Sequence, residues 1–202
     1  MIYFNNAATT WPKPDIVYYT ADTVAKKHGG NAGRGGNAMA VAAAKEIYNC
    51  RCALASFFGA QPENIIFTLN TTYAINMAIK SSVCQGSHIR ISDIEHNSVL
   101  RPVIELTKRG VITYDIFDTS GDAGNVIESI RRHLRINTRM LVCTHMSNIA
   151  PITLPIAEIG SFCRERGICF ITDAAQSAGF LDINIEEMKI DALCIPGHKG
   201  LY

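Results

Sequence analysis

Short apolar runs that stop abruptly at polar residues alternate along this chain with helix-patterned segments, and no other feature limits its fold so tightly. The runs are Asn64–Thr68, His88–Ser92, Val111–Ile116, Arg139–Thr144, Cys169–Ile171 and Asp191–Ile195. Helical patterns fall at about 15–27, 39–58, 72–79, 97–109, 125–134 and 155–166. At least six strands alternating with helices predict an α/β fold: a mostly parallel sheet covered by helices on both faces. In such a sheet the chemistry belongs at the carboxyl ends of the strands.

The last third of the chain states that rule most sharply. Cys169-Phe170-Ile171-Thr172 delivers Asp173 at its end, and Leu193-Cys194-Ile195 delivers Lys199 on a turn flanked by Gly197 and Gly200. A carboxylate and an amine at neighbouring strand ends suit pyridoxal phosphate (PLP). The amine forms a Schiff base with the cofactor aldehyde. The acid pairs with the pyridine nitrogen and keeps it protonated. Taken singly, an exposed lysine and an aspartate capping a helix from about Ala174 are the ordinary readings. Their pairing reverses that preference.

Other strand ends carry further candidates. Leu69-Asn70-Thr71-Thr72 opens a helix and offers hydroxyls and free N–H groups to an anion, or is a plain helix cap. His96 follows the second strand, where an imidazole could stack on a flat ring or simply serve structure. Asn148 follows the fourth strand and could donate to a ring hydroxyl or hold a turn. Gln176 follows Asp173. The stretch Gly29 to Gly36, with Arg34, is neither a P-loop nor a dinucleotide fingerprint. It reads equally as a flexible connector or a substrate-lining loop. Residues 1–14, with Pro12 and Pro14, read as an irregular N-terminal arm, and 15–202 as one large domain.

Composition excludes several classes. At 48% hydrophobic and 18% charged, the 202 residues describe a globular protein. A net charge of +1 leaves no footprint for nucleic acid or an anionic membrane. No apolar run spans a bilayer, and the first residues lack the charged and apolar regions of a secretion signal. Seven cysteines without Cys-x-x-Cys spacing read as free thiols in a reducing cytoplasm, and no metal signature is present.

The blocks Tyr3 to Thr10, Gly33 to Gly36, Phe67 to Asn76, Glu95 to Pro102, Ser147-Asn148, Thr172 to Gly179 and Gly197 to Gly200 together resemble the class V aminotransferase family of fold-type I PLP enzymes. Within it, the resemblance is to the cysteine desulfurase and selenocysteine lyase branch. It implies a PLP-dependent transferase large domain, with Lys199 carrying the Schiff base and moving the substrate α-proton. Asp173 would pair with the ring nitrogen, and Gln176 and Asn148 would bond near the ring 3-oxygen. His96 would stack on the ring and assist proton transfer. Thr71 and Thr72 would hold the phosphate, with His198 beside it. The implied reaction takes sulfur from L-cysteine (or selenium from selenocysteine) through an enzyme persulfide and leaves alanine. A sulfur-acceptor protein and a homodimer are the implied partners. A related aminotransferase, epimerase or kynureninase-like enzyme, and a non-catalytic PLP-binding fragment, are the alternatives.

The chain departs from the family pattern at Asn5, Asn70, Pro151 and Pro196, the last where a phosphate-binding serine is usual. Family members are also longer. The domain is therefore expected to be incomplete at its C-terminal end, without the small domain or the sulfur-accepting cysteine, and inactive alone. A strand after the lysine, which would insert between the first and last strands read here, is also expected to be missing.

Overall fold

The computed structural model describes residues 2–202; Met1, the first residue of the expected arm, lies outside them. Two compact units divide the chain, residues 2–67 with Tyr202, and Thr68–Leu201.

The first unit holds two helices, α1 (Asp15–Lys27) and α2 (Ala38–Phe58), and a 3-10 turn, Pro62–Asn64. Asn37 starts α2 by accepting the Ala40 N–H at 3.0 Å, and Gly59 ends it in the left-handed conformation (φ 65) that only glycine adopts freely. The pattern over 15–27 correctly marks a helix, but none of its residues is fully buried: Ile16 is 64% and Tyr19 66% exposed. Periodicity shows which face seeks cover, not what covers it. Residues 65–68 form no strand, although Ile65 is extended (φ −85, ψ 119). A β-rich run becomes a strand only where a ladder partner lies beside it.

The second unit is a five-stranded parallel sheet in the order β2-β1-β3-β4-β5. Its strands are β1 (Ser87–Ser92), β2 (Ile112–Phe117), β3 (Thr138–Thr144), β4 (Cys169–Asp173) and β5 (Ala192–Cys194). Four helices cover it: α3 (Thr71–Ser82), α4 (Asn97–Lys108), α5 (Ala123–Arg132) and α6 (Ile156–Arg164). Strand alternation divides the two faces. Ile89, Ile91, Met140, Val142 and Ile171 pack against Ile75 and Ile79 of α3 and Val99, Val103 and Leu106 of α4. Residues one step out of phase turn to the other face, where Arg90 donates to the Ser129 carbonyl of α5 at 2.9 Å. Asp173 shares its phase with Ile171, which aims it toward α4.

The helix expected after Asp173 is a single turn instead. Ser177 and Ala178 both donate to the Ala174 carbonyl, and the turn is not continued. Gly179, at φ 85, redirects the chain there.

A proline inside α4 has a consequence for the helix pair. Pro102 has no N–H, so the Ser98 carbonyl one turn earlier lacks its intrahelical donor. Asn76 of α3 supplies one across the gap at 3.5 Å, while the same amide donates to Thr72 at 3.0 Å.

Candidate active site

The parallel register brings the ends of β1, β3, β4 and β5 to one edge of the sheet. Thr144 pairs with Asp173, and Asp173 with Cys194. His145 donates its N–H to the Asp173 carbonyl at 2.9 Å, and Ala174 donates to that of Cys194 at 2.9 Å. Asp173 is thus held from both sides at the end of an interior strand.

Asp173 is only 3% exposed. One oxygen accepts the Ala175 N–H at 3.0 Å, and the other has a long bond of 3.5 Å from the Ser98 hydroxyl. Burial pushes this carboxyl above the ordinary value. The Ala175 N–H, His96, Lys199 and the Ser98 hydroxyl pull it back down. His96 and Lys199, distant in sequence, therefore both act on one buried acid.

His96 caps α4 through its ring, Nδ1 accepting the Ser98 N–H at 3.1 Å and lying 2.9 Å from the Ser98 hydroxyl. That arrangement puts the ring proton on Nε2 and leaves the exposed edge of the imidazole to solvent. Ser98 joins His96 to Asp173, and its carbonyl is the one bound by Asn76. The continuous path runs from Thr72 through Asn76 and Ser98 to His96 and Asp173.

Thr71 and Thr72 open α3, where Asn70 accepts the Tyr73 N–H at 2.8 Å. Thr72 is exposed and Thr71 half-buried. The dipole of a helix N-terminus favours an anion here. Gln176 lies half-buried on the turn after Asp173. Asn148 is exposed at the tip of a loop closed by a Met146–Thr153 bridge and by the Ser147 N–H on the Ile152 carbonyl. Lys199 is half-buried and His198 exposed on the turn after β5. Backbone contact holds that turn: a Cβ on Gly179 would collide with the Gly200 carbonyl, and one on Gly200 with that of Ala178.

Sequence reading passed over Ser98, Asn76 and Glu95. Ser98 had a usable signal, a hydroxyl two residues past His96 at a helix start. Asn76 had none, because its partner is created by Pro102.

A pyridoxal ring fits what is present. Asp173 keeps an oxygen with only one long donor, the gap a protonated ring nitrogen would fill. The thiol of Cys194, the residue paired with Asp173 across the sheet, is buried and pushed up to about 12, first by burial and then by Asp173. It therefore remains a thiol and not a thiolate nucleophile. No group of side chains suited to a metal ion occurs among the described residues, nor any helix long and apolar enough to cross a membrane.

Comparisons with known proteins find relatives over nearly the whole chain. A probable cysteine desulfurase of Methanothermobacter thermautotrophicus is 31% identical over 96% of this chain and 49% of its own. Among solved structures, SspA in complex with cysteine superposes with a TM-score of 0.87 at 30% identity, over 99% of this chain and 59% of that one. A C-DES variant with glycine covalently linked to the PLP cofactor gives 0.80 at 26% identity, over 98% and 53%. The chain spans about half the length of the curated relatives it matches. The family model for aminotransferase class V matches residues 2–202. With a match of that extent, this chain belongs to the class V aminotransferase family.

Proposed function

We propose that this chain provides the cofactor-binding part of a PLP-dependent cysteine desulfurase, with residues 15–202 belonging to its large domain. The observation that carries the reading is Asp173: a buried acid at a strand end, acted on by both Lys199 and His96. Cysteine as substrate is supported by the desulfurase relatives and by the cysteine-bound SspA. Selenocysteine is the close chemical alternative.

PLP, when bound, supplies an electron sink for the substrate α-carbon. The residues of this chain would do the rest. Lys199 would hold the cofactor through its aldehyde and move the α-proton at Nζ. Asp173 would keep the proton on the ring nitrogen through its negative charge, which the Ala175 N–H and Lys199 favour. His96 would cover one face of the ring, its Nδ1 fixed by Ser98. Thr71 and Thr72, with the first N–H groups of α3, would take the phosphate, with His198 beside it. Gln176 and Asn148 would bond near the ring 3-oxygen. Sulfur would pass to a thiol other than Cys194 and on to an acceptor protein. A homodimer in the cytoplasm is the setting we propose.

The test is PLP binding to the chain, with gel filtration and borohydride reduction before mass spectrometry. The expected result is a retained visible band and a reduced PLP adduct on Lys199, both lost in Lys199→Ala. A retained band without an adduct on Lys199, or no retention at all, rejects the reading. A spectral change on adding L-cysteine but not L-aspartate supports the substrate.

A further inference from the structure

We propose that Glu95 is a positioning residue of this site: as a neutral acid it staples the ends of β1 and β3, with β4 joined through Thr144, and so leaves Asp173 as the single carboxylate charge beside the cofactor ring. The role beside the ring rests on the function proposed above. The staple itself stands on geometry.

Glu95 is 7% exposed. One oxygen, Oε1, accepts the Thr144 N–H at 2.8 Å and the Ser92 hydroxyl. The Thr144 hydroxyl in turn donates to the Met146 carbonyl at 3.1 Å and lies 3.4 Å from that of Asp173. Glu95 thus ties the end of β1 to the end of β3, and the Thr144 hydroxyl extends the tie to Met146 and Asp173. The other oxygen, Oε2, is buried and has no partner.

The protonation state follows from the neighbours. Ser92 and Thr144 are uncharged, and the titratable groups that act on Glu95 are Asp173 from β4 and the Cys143 thiol from β3. Both are acids, so neither offsets a charge on Glu95. Two buried carboxylates that repel one another resist ionising together. Asp173 has a donor on each oxygen and Lys199 to favour its charge, whereas Glu95 has uncharged donors on one oxygen and none on the other. The proton therefore rests on Glu95. Burial, reinforced by Asp173, outweighs the Ser92 and Thr144 hydrogen bonds and pushes its carboxyl up to about 8. Raising the pH through that value would add a second buried negative charge that repels Asp173, and would weaken the staple.

Thermal unfolding of the cofactor-free chain from pH 5 to 9, wild type against Glu95→Gln, tests the staple. Glutamine keeps the Oε1 acceptor and has no proton to lose. The folded chain holds the Glu95 proton more tightly than the unfolded one. Its stabilisation is complete below 4.5 and is lost as pH rises through about 8. Relative to Glu95→Gln, wild type should shift toward unfolding by up to about tenfold per pH unit in that window. That shift is a Tm gap widening by about 3–5 °C per unit. A gap independent of pH overturns the proposal. Should the variant fail to fold, infrared spectroscopy of wild type decides: a protonated-carboxyl band at pH 7 that vanishes near pH 8 supports it, and no such band at pH 7 overturns it. PLP titrations address the ring. An alkaline change in the bound-cofactor spectrum present in wild type and absent in Glu95→Gln supports the positioning role, and identical profiles overturn it. A widening Tm gap in a chain that binds no PLP upholds the staple and rejects the proposed function instead.

Discussion

Gly179 and Gly200 meet backbone to backbone, with no room for a side chain on either, and this contact fixes the turn that carries Lys199. Alanine at Gly179 also has to adopt a φ of 85 that non-glycine residues avoid. Gly179→Ala and Gly200→Ala are each expected to cost about 1–3 kcal/mol in a urea titration. Both should lower PLP retention by more than the loss of folded protein explains. Gly197 has open space around its Cβ position, so Gly197→Ala should stay within about 0.5 kcal/mol of wild type.

Asp173→Asn should separate stability from binding. The amide oxygen can still accept the Ala175 N–H, and the burial that raises the carboxyl no longer opposes a charge. The cofactor-free variant is expected to melt at or above the wild-type temperature at pH 7. PLP retention should fall at least tenfold, since a neutral amide cannot hold the ring nitrogen's proton by charge. Lower stability together with unchanged retention would contradict both halves.

Gly160 lies inside α6, where a glycine is unfavourable by about 1 kcal/mol against alanine. A Cβ there would nevertheless collide with the Met188 carbonyl. Gly160→Ala should therefore destabilise by about 1–3 kcal/mol net. Denaturant midpoints check the sign, which helix propensity alone would predict the other way.

His145 is buried, and burial lowers its imidazole to about 4. A depressed histidine contributes stability that is present above about 6.5 and lost as pH falls through about 4. His145→Leu removes that titration. The variant should gain on wild type as pH falls from 6.5 to 4, by at most about 1.4 kcal/mol per pH unit. Parallel Tm curves for the two proteins would refute it.

The sheet was legible because strand ends advertise themselves: β1, β3 and β4 each close an apolar run with a polar residue, and their helices carry plain periodicity. Legibility failed where the deciding partner was remote. Asn64–Thr68 has strand composition but no ladder beside it among the described residues. Ala174 to Ala178 has a capping aspartate in front, yet the glycine contact at Gly179 stops the helix after one turn. For the candidate site, Asp173, His96 and Lys199 stand out in the sequence because an acid, an imidazole and an amine follow the ends of predicted strands. Ser98 and Glu95 act through atoms brought close only by folding, and their residue types alone announce nothing.

The missing amide hydrogen of Pro102 reaches further than α4 itself. By surrendering one internal bond, that helix gains a tether to its neighbour, and the tether lands on the residue that fixes the His96 ring. Thr72 at one helix mouth and the residue that holds the imidazole at the other thereby share a single asparagine amide as their common donor.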